Sequence, residues 1–474
     1  MSFCRTSKTN KEEGMKKTLV IMLALFLAIP AISYAGSATS RWDLTIGGNI
    51  KFDVGWSDQS GAESGNDMWA EGVADRNPAS GNTQLYNKYG TQLWGAGETG
   101  INFFVKGPDT WGAKTHAFIL GDFTGFWGAA QATNGPPANY NTYNLLIAEM
   151  AFDWENTSLA FKVAPTFWGM VPTFANSASW NFGGYGGKGS APIAPQVTVE
   201  ERFTKNWIGG FGIVAPYNAV NGNQSPNGNV TGNANVNNYF RNPLPGFEGK
   251  FAYTSDSCGK VGPWQLLIQA DGFYAQARQI WSNSPTGDID SDTDVNQWLF
   301  DLKFLIPIIP EKNGNKTGAW YVDGSGFTAS GMGLGGNWMA EANGTFSTAP
   351  GSFGPTGSGF FTNAYQRPTA GSFGAATIWG LTGHTQFYFV DNVSVNAFAV
   401  WAEMANMSQA QKILNPNAID RGYQTELNLM YDVSPAVRFT LAWGYTDDFF
   451  SFAYPGYKNN GSANTWKLAA YYFF

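Results

Sequence analysis

The last eleven residues of the chain, 464–474, alternate in a way that few folds can use. One set is wholly apolar, while the set between its members becomes polar toward the start of the segment: Trp466, Leu468, Ala470, Tyr472 and Phe474 against Thr465, Lys467, Ala469, Tyr471 and Phe473. Successive side chains of a β-strand point to opposite faces, so one face of this strand is apolar throughout. Because an exposed apolar edge aggregates, a soluble sheet seldom ends this way. The segment therefore predicts the closing strand of a membrane β-barrel, which has no edge and needs an apolar outer face.

The segment 42–56 repeats the pattern at the other end of the chain. One face is apolar and consists of Trp42, Leu44, Ile46, Ile50, Phe52, Val54 and Trp56. The other face is polar and consists of Asp43, Thr45, Asn49, Lys51 and Asp53. Such a strand is long for a globular sheet and suits a tilted membrane strand. Tryptophan at both ends is typical of the two membrane interfaces.

Further segments of this kind give about 16 strands, with short turns on one side and long polar loops on the other. Residues 377–390, for example, lead into the two-residue turn Asp391-Asn392. The predicted fold class is all-β: a transmembrane antiparallel β-barrel with short periplasmic turns and long extracellular loops. A soluble sandwich or jelly roll is the alternative, and it does not explain strands that carry aromatic residues at both ends.

The start of the chain has the pattern of a secretory signal. Lys16 and Lys17 precede an apolar run at 19–32, and Ser33-Tyr34-Ala35 offers small residues for cleavage. We expect residues 1–35 to be an upstream extension and a cleaved signal peptide, and residues 36–474 to form the barrel. A retained anchor helix is disfavoured because the run is short and Pro30 interrupts it.

Charge and cysteine content exclude several classes of function. Residues 1–35 hold five of the 28 basic and two of the 35 acidic residues, so the remaining chain carries 23 basic and 33 acidic residues. This acidic balance argues against a nucleic-acid partner, which would require basic patches. Cys258 is the one cysteine after the predicted cleavage site, so neither a disulfide framework nor a thiolate metal cluster is expected. No cofactor is predicted.

With its signal sequence, about 16 strands, terminal Phe474 and long loop after the fifth strand, the chain resembles the general bacterial porins. The resemblance implies a bacterial outer-membrane channel surrounded by lipid and lipopolysaccharide. It also implies a homotrimer that associates through the wall near the termini, and a C-terminal strand read by the barrel-insertion machinery. In that family the third outer loop folds into the lumen, and here that loop would be 168–195.

The predicted constricting loop departs from the porin pattern because it contains no Asp or Glu and a single charge, Lys188. Trp180, Phe182 and Tyr185 are expected to shape the opening instead. The field across the pore would then come mainly from inward wall charges, which the alternation predicts to be Lys51, Asp53, Glu98, Lys114, Glu149, Lys162, Glu200, Arg202, Asp301, Lys303, Glu426, Arg438 and Lys467. Arg202, beside Glu200 and after the loop, is the strongest single candidate; pairing with a neighbour is the alternative for each.

An alternating acidic run, Asp288, Asp290, Asp292 and Asp294, falls in a predicted outer loop. Carboxylates at this spacing can hold a hard cation. The EF-hand pattern fails, however, because Thr293 stands where Gly is needed and Leu299 where Glu is needed. We therefore expect a solvated acidic loop, bridged to lipopolysaccharide by divalent ions, and we predict no metal site.

Catalytic patterns are weak. His116 and His384, the only histidines, fall on inward faces, whereas an outer-membrane lipase needs a Ser/His pair at the lipid surface. The prediction is therefore a non-enzymatic channel for passive diffusion of small hydrophilic solutes and ions. Two alternatives remain open: a substrate-specific uptake channel, and a barrel sheath around a periplasmic electron-transfer partner, which would need well over 20 strands.

Overall fold

A computed structural model describes residues 42–58, 63–64, 67–68, 91–96, 99–123, 144–169, 193–215, 240–241, 244–281, 291–330, 364–366, 373–375, 377–405, 419–450 and 460–474. The compact unit Asp43–Phe474 contains the barrel. The predicted signal peptide, 1–35, and the predicted start of the mature chain lie outside the described residues.

Sixteen strands form the wall. They are β1 Asp43–Ser57, β2 in two segments Thr91–Gly95 and Gly100–Lys106, β3 Lys114–Asp122, β4 Asn144–Asp153, β5 Thr157–Pro165, β6 Ile193–Arg202, β7 Trp207–Val214, β8 in two segments Phe240–Arg241 and Gly246–Val261, β9 Trp264–Trp281, β10 Ser291–Ile309, β11 Trp320–Ser330, β12 Thr377–Val390, β13 Val393–Met404, β14 Ile419–Ser434, β15 Val437–Phe450 and β16 Asn460–Phe473.

The strands pair antiparallel with their neighbours in sequence, and β16 pairs with β1, which closes the barrel. Two short ladders lie outside this wall, one between Glu63–Ser64 and Asp67–Met68 and the other between Ala364–Gln366 and Phe373–Ala375. Across the residues that the structure describes, there is no helix long and apolar enough to span a membrane. The predicted fold class, a closed antiparallel barrel of 16 strands, is confirmed.

Alternation sets which side of the wall each residue faces. In β1, Leu44 and Ile46 are about half exposed on the outer face, whereas Lys51 and Asp53 are 1% exposed on the inner face. The same contrast holds in β14, where Leu427 and Leu429 face outward and Asn428 is buried. The outer surface is therefore apolar, and the polar side chains face the lumen, as the sequence predicts.

The seam between the first and last strands of the wall depends on Gly48. Gly48 and Phe474 exchange two backbone hydrogen bonds of 3.1 Å. A methyl group at Gly48 would lie 2.3 Å from the carbonyl oxygen of Gly100 and 3.0 Å from the Phe474 ring. Only glycine therefore lets β2 and Phe474 approach β1 this closely.

A break in β2 lies beside this seam, and a side chain spans it. The two segments of β2 pair with β1 on either side of the break, with Gly95 opposite Asp53 and Gly100 opposite Asn49. The Thr99 hydroxyl accepts a hydrogen bond from the Lys51 N–H (3.2 Å) and donates one to the Lys51 carbonyl (3.3 Å). The backbone groups of Lys51 are thus satisfied where the strand ladder is interrupted.

Several strands run beyond their predicted ends. β8 continues to Val261, and β10 begins at Ser291, where Asp294 pairs with Arg278 and Asp292 with Ile280. The acidic run was therefore predicted wrongly as a loop in its second half, because polar strand ends above the membrane lack the apolar alternation. Asp288 and Asp290 lie outside the described residues. The polar residues Asp447 and Asp448 likewise belong to β15, which runs to Phe450.

Candidate pore constriction

The loop after β5 begins by turning into the lumen. The Phe167 N–H donates a 2.9 Å hydrogen bond to Oε2 of Glu248 in β8. The Phe167 carbonyl accepts a 2.5 Å hydrogen bond from Nζ of Lys303 in β10. Both partners lie on the inner face, further round the wall from β5, so the start of the loop crosses part of the lumen. Residues 170–192 lie outside the described part of the chain.

Two cations flank the Phe167 ring. The ammonium nitrogen of Lys250 lies 4.7 Å from the ring centre, and that of Lys162 lies 5.6 Å away. An ammonium group at these distances from an aromatic ring is attracted to it. The next residue, Trp168, is fully buried, with its ring 5.8 Å from the ring of Phe273 on β9. Phe167 and Trp168 therefore fix the start of the loop against β5, β8 and β9.

Glycines on β7 make room for this arrangement. A methyl group at Gly210 would lie 2.9 Å from Cγ of Lys250 and 3.1 Å from the Phe167 ring. A methyl group at Gly212 would lie 2.7 Å from Cγ of Glu248. The short strand WIGGFGIV thus has no inward side chains at these two positions, and the loop start packs over its backbone.

Carboxylates surround the lysines at the loop start. Lys303 lies 2.7 Å from Asp271 and 3.5 Å from Asp301, and all three side chains are nearly fully buried. Lys250 lies 2.5 Å from Glu200 of β6, and this pair spans Gly210 on the strand between them. A buried charge is retained only when it is paired, so these contacts order the inner face around the loop.

A second charged group lies at the seam. Asp53 Oδ2 is 3.2 Å from Nζ of Lys51 and 2.9 Å from Nζ of Lys467, so one carboxylate joins β1 to β16. The Lys51 ammonium also lies 5.5 Å from the Tyr471 ring centre. The three charges balance to a single positive charge on this part of the wall.

Other inward charges are paired near the periplasmic end of the wall. Arg438 forms two hydrogen bonds with Asp432, of 2.5 and 3.1 Å. His116 lies between Glu149 at 3.3 Å and Asp153 at 2.9 Å. Both residues belong to the periplasmic halves of their strands, so opposite charges alternate around this mouth of the barrel.

The inner face of β11 to β14 is mainly uncharged. Tyr321 donates to Gln386 (2.7 Å), which in turn donates to Ser394 (3.0 Å). Asn428 donates to Asn396 at 2.9 Å. His384 lies 2.7 Å from Asp323 within the same region. Both histidines thus face inward, as predicted, and each contacts a carboxylate.

Nine of the predicted wall residues fall into three groups, whereas Lys114 and Glu149 lie on β3 and β4 and Glu98 lies outside the described residues. Lys162, Glu200, Asp301 and Lys303 meet around the loop start; Lys51, Asp53 and Lys467 meet at the seam; Glu426 and Arg438 face inward elsewhere. Arg202 lies at the far end of β6, next to the turn 203–206, and its backbone N–H bonds Asn156. It is therefore remote from the loop start, since β6 begins at Ile193. Trp180, Tyr185 and Lys188 lie outside the described residues.

Sequence reasoning missed Glu248, Lys250 and Asp271. Phe247 and Phe251 alternate with Glu248 and Lys250, and this pattern could have placed both charges on the inner face. No pattern in the sequence indicates that Phe167 reaches them, because the contact depends on the path of the loop. Among the residues that the structure describes, no three His, Cys, Asp or Glu side chains are grouped as a metal site.

A closed 16-stranded antiparallel barrel with an apolar outer face and a polar inner face defines a transmembrane barrel of the outer-membrane class. Within that class the chain has the fold of the bacterial outer-membrane porins. The outer membrane channel DcaP of Acinetobacter baumannii is 11% identical, with a TM-score of 0.60, over 93% of this chain and 99% of that one. This likeness supports the fold.

Two further solved structures are similar at lower TM-scores. The anion-selective porin from Comamonas acidovorans is 10% identical, with a TM-score of 0.45, over 91% of this chain and 100% of that one. OmpT of Vibrio cholerae is 10% identical, with a TM-score of 0.44, over 92% and 99%. No protein-family profile and no curated protein sequence matches the chain.

Proposed function

We propose that the protein is an outer-membrane porin that passes small hydrophilic solutes and ions by diffusion, with a weak preference for cations. The observation that carries the proposal is the inward turn at Phe167, held by Glu248 and Lys303. A loop start fixed inside a barrel narrows the lumen rather than capping its mouth. A barrel of 16 strands is wide enough to enclose an aqueous channel.

The acidic side chains around Lys303, next to the start of the loop, support the cation preference. Lys303 is shared between Asp271 and Asp301, so this group has one more acidic than basic side chain. Charges are paired here rather than segregated onto opposite walls. The resulting field is modest, in keeping with a channel of weak selectivity.

Single-channel recording tests the proposal. The purified, detergent-folded protein is inserted into planar bilayers with a salt gradient across the membrane. We expect steady open channels and a reversal potential of cationic sign. A folded barrel that inserts but passes no current would overturn the channel proposal, and an anionic reversal potential would overturn the argument from the wall charges.

Substrate-specific uptake is the second candidate. The inner face carries both an aromatic ring with two lysines near it, at Phe167, and uncharged hydrogen-bonding groups, on β11 to β14. These groups could recognise a particular solute. Such a channel would show conductance or solute flux that saturates with concentration. A strictly linear dependence favours general diffusion. The sheath alternative is not supported, because the wall has 16 strands instead of the larger number that a sheath requires.

We further propose that three copies associate through the wall near the termini, where β1 and β16 meet. Native mass spectrometry of protein extracted in mild detergent tests this assembly. A trimer mass together with conductance in three equal steps is expected. Monomers only, from an extract that retains bound lipid, would contradict it.

A further inference from the structure

The outer face of the wall is not uniformly filled. An apolar trough of about 820 Å³ crosses β10 to β14 on the lipid-facing side. Its floor is made of small residues that pair in register, with Gly383 of β12 opposite Ala399 of β13 and Ala399 opposite Thr425 of β14. At the usual strand spacing of about 4.8 Å, the trough from β11 to β14 extends roughly 14 Å along the wall.

Large side chains form the edges of this trough. Phe300 and Phe304 of β10 lie on one side and are partly exposed. Trp401 and Tyr423 lie toward the other, with ring centres 6.3 Å apart and planes nearly parallel. The floor between them is open, because a methyl group added at Gly383 would meet no heavy atom within 4 Å.

The trough lies just below the extracellular aromatic belt. Trp401 contacts Trp379 at 6.5 Å, and Tyr423 contacts Tyr445 at 5.7 Å, so four rings run across β12 to β15 near their extracellular ends. Aromatic belts of this kind mark the level of the lipid headgroups. The trough beneath the belt therefore faces the acyl chains of the outer leaflet.

A cation lies one step above the belt. Arg421 precedes Tyr423 by two residues on the same face of β14, so it points outward nearer the extracellular rim. Its guanidinium carbon lies 4.8 Å from the centre of the Phe449 ring. Glu403 is its partner in register on β13 and is the acidic group next to it.

We infer that the trough binds one acyl chain of an outer-leaflet lipid whose phosphorylated headgroup contacts Arg421. Apolar lining, membrane depth and a cation at headgroup level fit a single amphiphile with these two parts. A second copy of the chain is the alternative occupant, and a change in oligomeric state on filling the trough would reveal it. The inference depends on the membrane-embedded fold and not on the channel proposal.

Filling the trough is the direct test. Gly383→Leu places a side chain where the floor is open, so the barrel should still fold. The matched control is Gly249→Leu, which changes another outward glycine with room around it, since its nearest neighbour is the Gly210 oxygen at 3.7 Å. Native mass spectrometry in mild detergent counts the phosphorylated lipids that remain on each barrel after extraction from the outer membrane.

We expect wild type and Gly249→Leu to retain one more lipid per barrel than Gly383→Leu, and Arg421→Gln to retain fewer phosphorylated lipids. Equal lipid counts for wild type and Gly383→Leu would overturn the inference. A change in oligomeric state with an unchanged lipid count would also overturn it, because that result would identify the trough as a subunit contact. Ala399→Leu repeats the test if Gly383→Leu does not fold. Channel current recorded on the same samples tests the proposed function separately, because the current does not report how many lipids are bound to the trough.

Discussion

At the residue scale, glycines decide where the chain comes closest to itself. Gly48 lets three strands meet at the seam, and Gly210 and Gly212 let the loop start lie on β7. In each case a Cβ atom would overlap a neighbour whose position is fixed by backbone pairing or by a hydrogen bond. Glycine is therefore required by contact here, and not only by turn conformation.

The first prediction concerns Gly48→Val. The added carbons would overlap the Gly100 carbonyl and the Phe474 ring, so β1 cannot hold β2 and Phe474 together. We expect a several-fold fall in the yield of folded barrel, measured as the compact species on unheated gels. The control is Gly272→Val, where the nearest atom is the Leu299 oxygen at 3.9 Å. Equal yields for the two variants would show that the seam tolerates a side chain.

At the scale of elements, the loop start and the strand below it form one unit. Phe167 is held by its own backbone, so the contact with Glu248 and Lys303 does not require a particular side chain at position 167. The ring adds its contacts with Lys162 and Lys250. The backbone hydrogen bonds that hold the loop are therefore distinct from the contacts that the Phe167 ring makes.

The second prediction uses that distinction. Glu248→Ala removes the acceptor of the Phe167 N–H, whereas Glu248→Gln keeps a side-chain oxygen in its place. Both variants lose the same ionisable carboxyl group. We expect larger and noisier single-channel currents from Glu248→Ala and nearly wild-type currents from Glu248→Gln. If both variants change the current equally, the charge matters and the hydrogen bond does not.

The third prediction concerns selectivity. Lys303→Gln removes a cation between Asp271 and Asp301, so the reversal potential in a salt gradient should move toward stronger cation preference. Lys205→Gln makes the same charge change at an exposed turn, where Lys205 lies 3.7 Å from Asp256, and should leave the potential unchanged. Matching shifts in the two variants would place the selective field outside the loop start.

The elements also show how much of the fold the sequence could predict. Regular alternation predicted both ends of β12 as observed. Its residues face the lipid and the lumen in turn along the whole strand. β8 runs past its predicted end since residues 256–259 bulge out of register before Lys260 pairs with Gln265. A bulge shifts the faces by an odd or irregular step, so alternation cannot predict which way the residues after it point.

The site was less predictable than the strands for a physical reason. Alternation assigns a residue to the inner face, and Lys162, Glu200 and Lys303 were predicted in this way. The alternation pattern contains no information on which inner residues meet across the lumen. Those contacts depend on the tilt and register of the strands and on the path of the loop. The contact of Phe167 with β8 and β10 could therefore be found only in the structure.

At the scale of the whole molecule, the inner face is a surface of paired charges. Asp53 is shared by Lys51 and Lys467, Glu200 pairs with Lys250, and Asp432 with Arg438. Pairing leaves short-range fields and little long-range attraction. The wall charges should therefore act on a passing solute only when ions in the lumen do not screen those charges.

The fourth prediction rests on this screening. The Debye length grows from about 3 Å at 1 M salt to about 10 Å at 0.1 M, so selectivity should strengthen as salt is diluted. The measurement is the cation-to-anion permeability ratio from reversal potentials at a fixed gradient ratio and falling mean concentration. A ratio that stays constant over this range would indicate selection by size at the loop instead of by charge.

Gly48 and Phe474, whose backbones are hydrogen-bonded, belong to the first strand of the wall and to the end of the last one. A ribosome must therefore make all sixteen strands before the seam can form, and a prematurely stopped product keeps two unpaired edges. The last strand thus completes the wall, because it pairs with β1 along nine residue pairs from Asn49 and Phe473 to Ser57 and Thr465.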